Sequence, residues 1–282
     1  MRKIPVGLLK GNYKLDKDSK YVCLKKMLDK QIIDDNLVVP LGVTEDMEYH
    51  YMGFDDIGCL LVTGETGSGK SIFLDCVILS LILRNDSNNI KFIMMDPKRI
   101  ELSYYNKLPY IEGNMISSGK DGYKKLLEIE EEYKKRIELF KENNVKDIES
   151  YNKLKKVKEI YHLFIVIDES CDLMKVDGSE ELLASMINDC YKYGIHFIIA
   201  TNSYNEEYFS KDFINNIKYK ITFDLATKAD ANMIREKDSD KLPAPGEAIA
   251  TSKKQRIKYK LQTPYISDED IMRVIKFFKK DY

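Results

Sequence analysis

Short apolar runs recur along the chain, each closed by polar residues and followed by a stretch of helical spacing. CLLVT (59–63) leads through a glycine-rich turn into an apolar helix reaching about Arg84, and IKFIMMD (90–96) follows. A charged helical region then precedes HLFIVID (162–168), a helix starts at Ser179, and HFIIAT (196–201) comes next. Near-continuous apolar strands separated by helices predict an α/β fold with a mostly parallel central sheet covered by helices on both faces. YKITFDL (219–225), EAIAT (247–251) and RIKYKLQ (256–262) predict further strands towards one edge, and no internal repeat is visible.

Between Asp121 and Lys158 the charges nearly balance, while Leu126, Ile129, Tyr133, Ile137 and Phe140 recur at helical spacing. One face of that helix packs and the other is solvated. At the C-terminus, Ser267 and Asp270 form a start like a capping box, and Ile271, Val274, Ile275 and Phe278 form an apolar stripe. The expected organisation is a partial lead-in segment at 1–37, a main domain at 38–265 and a packed terminal helix at 266–282.

Composition narrows the picture only slightly. Apolar residues make up 44% and charged residues 32% of 282, which is ordinary for a globular chain. A net charge of −1 means that any contact with nucleic acid must come from a local patch. Cys23, Cys59, Cys76, Cys171 and Cys190 are scattered with no CxxC pair, so neither a disulfide framework nor a zinc site is expected. The run Ile72–Leu83, interrupted by Asp75, is shorter than the ~20 residues a bilayer demands. No apolar leader is visible, so a cytoplasmic chain with no direct membrane insertion is expected.

The turn after the first strand carries candidate chemistry. Gly64, Glu65, Thr66, Gly67, Ser68, Gly69, Lys70 and Ser71 match G-x-x-x-x-G-K-[ST] completely, between a strand and a helix. Its glycines let successive amides point inward as an anion nest at a helix N-terminus. Lys70 is expected on the β- and γ-phosphates of ATP, and the Ser71 hydroxyl on Mg²⁺. HLFIVIDES supplies a strand ending in Asp168 and Glu169. Asp168 is the expected carboxylate on the Mg²⁺ side, and Glu169 the group that orients and deprotonates the attacking water. Thr201 and Asn202, closing the third strand, are candidates for sensing the γ-phosphate.

IMMDPKRIELSYYNKLPYI (93–111) resembles the hallmark segment of the FtsK/SpoIIIE family, with Asp96-Pro97-Lys98-Arg99, Ile100-Glu101-Leu102-Ser103, Tyr105 and Pro109. Further pieces of the same pattern recur in order: PLG (40–42), YNK (151–153), IVIDESCDLM (165–174), GIHFIIAT (194–201) and ISDED (266–270). The resemblance spans about residues 38–275. It implies a RecA-like P-loop NTPase motor that assembles as a homo-oligomeric, hexameric ring around double-stranded DNA and moves it with Mg-ATP. Relatives of this kind serve chromosome segregation, conjugation and, in a divergent branch, protein secretion, so a membrane-bound or relaxase-type partner is implied too. The match covers the motor alone, without the family's membrane helices or winged helix.

The sequence departs from that pattern where the family places arginines: Tyr191 beside Lys192, Asn232, and Asn202-Ser203-Tyr204 after the third strand. Lys192 or Arg235 is the candidate trans-acting cation, although lysine lacks arginine's planar fork. For DNA, the resemblance points to the loop Met174–Ser179, and the pattern points to Arg256, Lys258 and Lys260 on one face of a strand. An edge strand blunted by lysines is the competing account of that face. The alternatives to a DNA translocase are a secretion motor of the same fold and an ATP-binding adaptor with little turnover.

Overall fold

The computed structural model describes residues 6–11, 22–31, 36–55, 57–202, 209–225, 231–232, 239–242, 245–253 and 256–280. Ser203, Tyr204 and Arg235 lie outside the described residues. The chain opens with β1 (Val22–Cys23), α1 (Leu24–Lys30) and a hairpin of β2 (Val38–Val43) and β3 (Tyr49–Gly53). Next come β4 (Cys59–Thr63), α2 (Lys70–Arg84), β5 (Ile90–Met95), α3 (Gly119–Glu142), α4 (Ile148–Asn152) and β6 (His162–Ile167). After β6 follow α5 (Cys171–Met174), α6 (Ser179–Met186), β7 (Ile195–Thr201), α7 (Lys211–Asn216) and β8 (Tyr219–Thr222). The chain closes with β9 (Glu247–Ser252), β10 (Ile257–Gln262), β11 (Pro264–Tyr265) and α8 (Asp268–Lys280).

Among the described residues one nine-stranded sheet runs β3-β2-β10-β9-β8-β4-β7-β6-β5. The five strands from β8 to β5 are parallel, and β9, β10, β2 and β3 continue antiparallel. The sheet alternates strictly between two cores. Leu60, Val62, Phe92, Met94, Phe164 and Val166 face α2 and α8. Leu61, Ile93, Met95, Ile165 and Ile167 face α3, α6 and α7. Each large apolar side chain so enclosed stabilises the fold by about 1.5–3 kcal/mol. Full enclosure is the reason these strands read as continuous apolar runs.

The antiparallel side holds the strands expected towards one edge and adds a hairpin. β8, β9 and β10 follow β4 in order, but the β2–β3 hairpin lies outside them. β2 meets β10 at a single pair, Gln262 with Val43, so among the described residues most of β10 has no strand paired to it on that flank. Lys258 and Lys260 alternate with Tyr259 and Leu261 as the pattern requires and are exposed, whereas Arg256, expected on the same strand face, is exposed in the turn before β10 with φ 54°.

The charged central region forms two helices instead of one. α3 is capped by the Ser118 hydroxyl, which accepts from the Asp121 amide at 3.2 Å, and the Asp147 carboxylate caps α4. Leu126, Ile129 and Phe140 are buried, as their spacing predicts, and so is Arg136. Its guanidinium is satisfied by Glu132 and by the carbonyls of Tyr161, Tyr193 and Gly194. At the C-terminus the Ser267 hydroxyl accepts from the Asp270 amide at 3.3 Å, and the stripe of α8 is buried.

Candidate functional site

β4 lies between β8 and β7, so the chain leaves it for one side of the sheet and later returns to the other. A crevice at the carboxyl ends of strands, at such a switch point, is where open α/β sheets bind ligands. The loop Gly64–Gly69 fills that point. Thr63, at its root, stands in register with Thr201 on β7 and Thr222 on β8, and all three are buried.

The loop is held from outside, leaving its inner face available. The Gly64 amide donates to the Thr201 carbonyl, and the Glu65 amide to the Asp224 carbonyl. The Ser68 carbonyl accepts from the Gly246 amide at 2.8 Å, tying the turn before β9 to the loop. Among the described residues, the amides of Gly67, Gly69, Lys70 and Ser71 have no backbone carbonyl partner outside the helix itself. Gly69 has φ 106°, and a Cβ there would stand 2.8 Å from the Gly246 nitrogen, so only glycine fits. Thr66 and Gly67 are exposed at the tip, and Ser71 is half-buried in the first turn of α2.

Lys70 turns back towards β6, where its Nζ lies 3.9 Å from Asp168 Oδ1. Both groups are buried, and Asp168 Oδ1 has no hydrogen-bond partner. Burial pushes the Asp168 carboxyl up to about 6, with the Lys70 charge opposing that rise. An anionic oxygen with an unfilled acceptor position beside a buried lysine fits a hard cation bound through oxygen ligands. Mg²⁺ with a nucleotide is the group these residues suit. Ser71 and Asp168 would hold the metal, and the amide-lined loop with Lys70 would hold the phosphates.

Glu169, one residue on, has a left-handed backbone with φ 48°. Its Oε1 accepts from Lys98 Nζ at 2.5 Å and from Asn202 Nδ2 at 3.0 Å. Burial pushes its carboxyl up, but the bonds from Lys98 and Asn202 and the Lys98 charge outweigh that and leave it lowered. Thr201 is buried beneath, its hydroxyl 3.2 Å from Cys171 Sγ. The structure therefore gathers Lys70, Asp168, Glu169, Thr201 and Asn202 at one edge of the sheet, and it adds Lys98.

Lys98 is placed by the turn that follows β5. Asp96, fully buried, accepts from the amides of Lys98 and Arg99 at 3.1 and 2.8 Å through Oδ1, and from Leu102 at 3.1 Å through Oδ2. Arg99, at φ 54°, donates to the Ser117 hydroxyl. The following Tyr104 and Tyr105 reach α2, where both hydroxyls donate to Asp75 Oδ1. Burial pushes Asp75 up to about 7 despite those two bonds. In the sequence Asp75 reads only as a break in an apolar run; an acid in a buried helix face calls for donors, and the paired tyrosines are the signal for them.

Other expected residues sit elsewhere. Lys192 lies in the turn before β7, at the sheet edge opposite the loop, with Nζ 2.7 Å from Asp189 Oδ1. It cannot serve its own subunit's loop from there. Asn232 is exposed. The segment Met174–Ser179 is a tight turn between α5 and α6, with Met174 and Ser179 buried. Lys260 is paired with Glu247 at 3.1 Å. No helix among the described residues is long and apolar enough to cross a membrane.

Comparison with known proteins agrees with this construction. The chain is 31% identical over 226 residues to the DNA translocase FtsK of Caldanaerobacter subterraneus subsp. tengcongensis, covering 79% of this chain and 32% of that protein. It is 30% identical over 222 residues to the DNA translocase SftA of Bacillus subtilis, covering 76% and 23%. It thus spans about a third or less of these relatives. The fold is shared with the pCW3 conjugation coupling protein TcpA bound to ATPγS, at TM-score 0.75 and 23% identity over 88% of this chain and 72% of that one. It is also shared with the cytoplasmic domain of the type VII secretion ATPase EccC of Thermomonospora curvata, at TM-score 0.76 and 17% identity over 92% and 34%. Residues 17–210 match the FtsK/SpoIIIE family, and the chain belongs to it.

Proposed function

We propose that the chain is an ATP-driven motor that moves double-stranded DNA, acting with further copies of itself in a ring. The observation that carries this reading is the pairing of a complete phosphate-loop motif at a strand-to-helix turn with Asp168, whose Oδ1, without a hydrogen-bond partner among the described residues, lies 3.9 Å from Lys70. Phosphoryl transfer needs positioning and charge stabilisation more than covalent chemistry, and those groups provide both. Lys70 and the loop amides hold the phosphates, Ser71 and Asp168 hold the metal, and Glu169 accepts the proton of the attacking water. Bound Mg²⁺ would neutralise the charge that develops on the transferred phosphoryl group. Asn202 orients Glu169, and Thr201 lies beneath.

The sequence relatives support DNA as the substrate. Those at 30–31% identity are DNA translocases, whereas the secretion ATPase shares the fold at 17%. The position of Lys192 at the opposite sheet edge supports assembly, since a cation there meets a nucleotide only in a neighbouring copy. A cytoplasmic setting, a hexameric ring and a membrane-bound or relaxase-type partner belong to the same reading.

ATP turnover with and without long duplex DNA tests it. DNA should raise turnover several-fold. Turnover indifferent to DNA favours the secretion-type motor, and absent turnover with retained nucleotide binding favours the adaptor.

A further inference from the structure

The environment of Glu169 is unusual for a group that must take a proton from water. Two donors converge on one oxygen: the Lys98 ammonium at 2.5 Å and the Asn202 carboxamide at 3.0 Å. The backbone beneath is fixed in the left-handed region, so the carboxylate is held at both ends. A carboxylate neutralised by an ammonium and fixed in rotamer is a poor proton acceptor.

The lysine is mounted differently. The turn that carries it is held by Asp96 through the amides of Lys98, Arg99 and Leu102, while the Lys98 side chain is 57% exposed and that of Glu169 is 23% exposed. A fixed root with a long flexible stem is a build that can change partners. The ammonium borders a cleft of about 430 Å³ lined also by Glu169, Asn202, Asp172, Lys175 and Ser117, and Glu169 directly follows Asp168, whose Oδ1 lies 3.9 Å from Lys70 Nζ.

We propose that Lys98 is a positioning residue that clasps Glu169 and transfers its ammonium to the γ-phosphate of a bound nucleotide, freeing the carboxylate to work on water. The inference rests on the motor reading of the same site. A terminal phosphate carries more negative charge than a carboxylate and attracts the ammonium more strongly at equal distance. Asn202, a neutral donor, then remains to orient Glu169 without neutralising it. ADP has no γ-phosphate, so the clasp stays closed around it and the base acts only when there is a group to transfer.

Amine-acylation labelling of the full chain, with Lys98 read by mass spectrometry, tests the partner exchange directly. Glu169→Ala should raise Lys98 labelling several-fold over wild type, and Glu169→Gln should do so by a smaller factor if the alanine variant folds poorly. In either variant Mg·ATPγS should restore protection and Mg·ADP should not, with occupancy of both checked by displacement of a fluorescent nucleotide. Equal labelling in wild type and variants overturns the clasp. Equal labelling with both bound nucleotides overturns the transfer. A chain that binds neither nucleotide removes the motor reading and the transfer together, while the variant comparison still decides the clasp. In kinetics, Lys98→Met should raise KM for ATP several-fold with kcat held or increased, and Lys98→Arg should return KM towards wild type. A fall in kcat at unchanged KM overturns the assignment.

Discussion

Asp96 and Asp168 occupy matching places: each follows directly on a strand, β5 and β6, which pair in register through Met95 and Ile167. Both are buried. Asp96 has both oxygens filled by three backbone amides, and its role is to shape the turn that carries Lys98 and Arg99. Asp168 keeps one oxygen without a partner and faces a lysine. Equal burial at neighbouring strand ends thus produces one acid filled by the backbone and one left with an open acceptor position, the one proposed to hold the metal. Hydrogen-bond satisfaction tells them apart, where burial and sequence position do not.

The sharpest way to break that contrast is to neutralise the functional side. Glu169→Gln should lower ATP turnover by about 10²–10⁴ with nucleotide binding retained, as for loss of a general base. Asp168→Asn should likewise abolish most turnover, yet shift thermal stability by no more than about 1 kcal/mol, because relief of a desolvated charge is offset by loss of the partner of the buried Lys70 ammonium. Asp96→Ala should do the reverse. Losing three amide contacts to a buried carboxylate should cost about 2–4 kcal/mol in urea unfolding, with nucleotide affinity falling only as far as the turn is lost. A destabilised Asp168→Asn beside a stable Asp96→Ala would invert the assignment.

Proton linkage sharpens the comparison further. Burial raises Asp168 to about 6 and Asp75 to about 7, above the 3.8 of an unperturbed aspartate. The folded chain therefore holds more protons than the unfolded chain between about pH 4 and 7. The contribution of these two groups is full below pH 4 and declines as pH rises through that window. Urea titrations at pH 5 and 7 should show the loss, at most a few kcal/mol, and Asp75→Asn should flatten it.

The smallest effect concerns DNA. Replacing Arg256, Lys258 and Lys260 together with alanine should reduce the salt slope of duplex binding by about 1–2, since Lys260 is already held by Glu247. An unchanged slope returns those cations to the blunting of a flank that β2 covers at one residue pair.

The parallel strands were legible in the sequence because enclosure on both faces demands unbroken apolar runs, and the loop was legible because its glycines have no substitute. The β2–β3 hairpin was not. VVPLGV carries a proline and a glycine, with a register shift between Pro40 and Gly42, and its attachment to β10 is a single pair. At the site, Asp168 and Glu169 could be named from their strand. The Lys98–Glu169 contact joins residues 71 positions apart, and Asp75 meets tyrosines 29 and 30 positions on. Such contacts are set by the stacking of neighbouring strand ends, which no local pattern encodes.

The bond from the Gly246 amide to the Ser68 carbonyl gives the loop a mechanical attachment. The Gly246 carbonyl in turn accepts from the amide and hydroxyl of Thr263, so the ends of β9 and β10 are yoked to the same point. The loop, the start of β9 and the end of β10 therefore meet at one hydrogen-bonded junction, and β9 is itself zipped to β8.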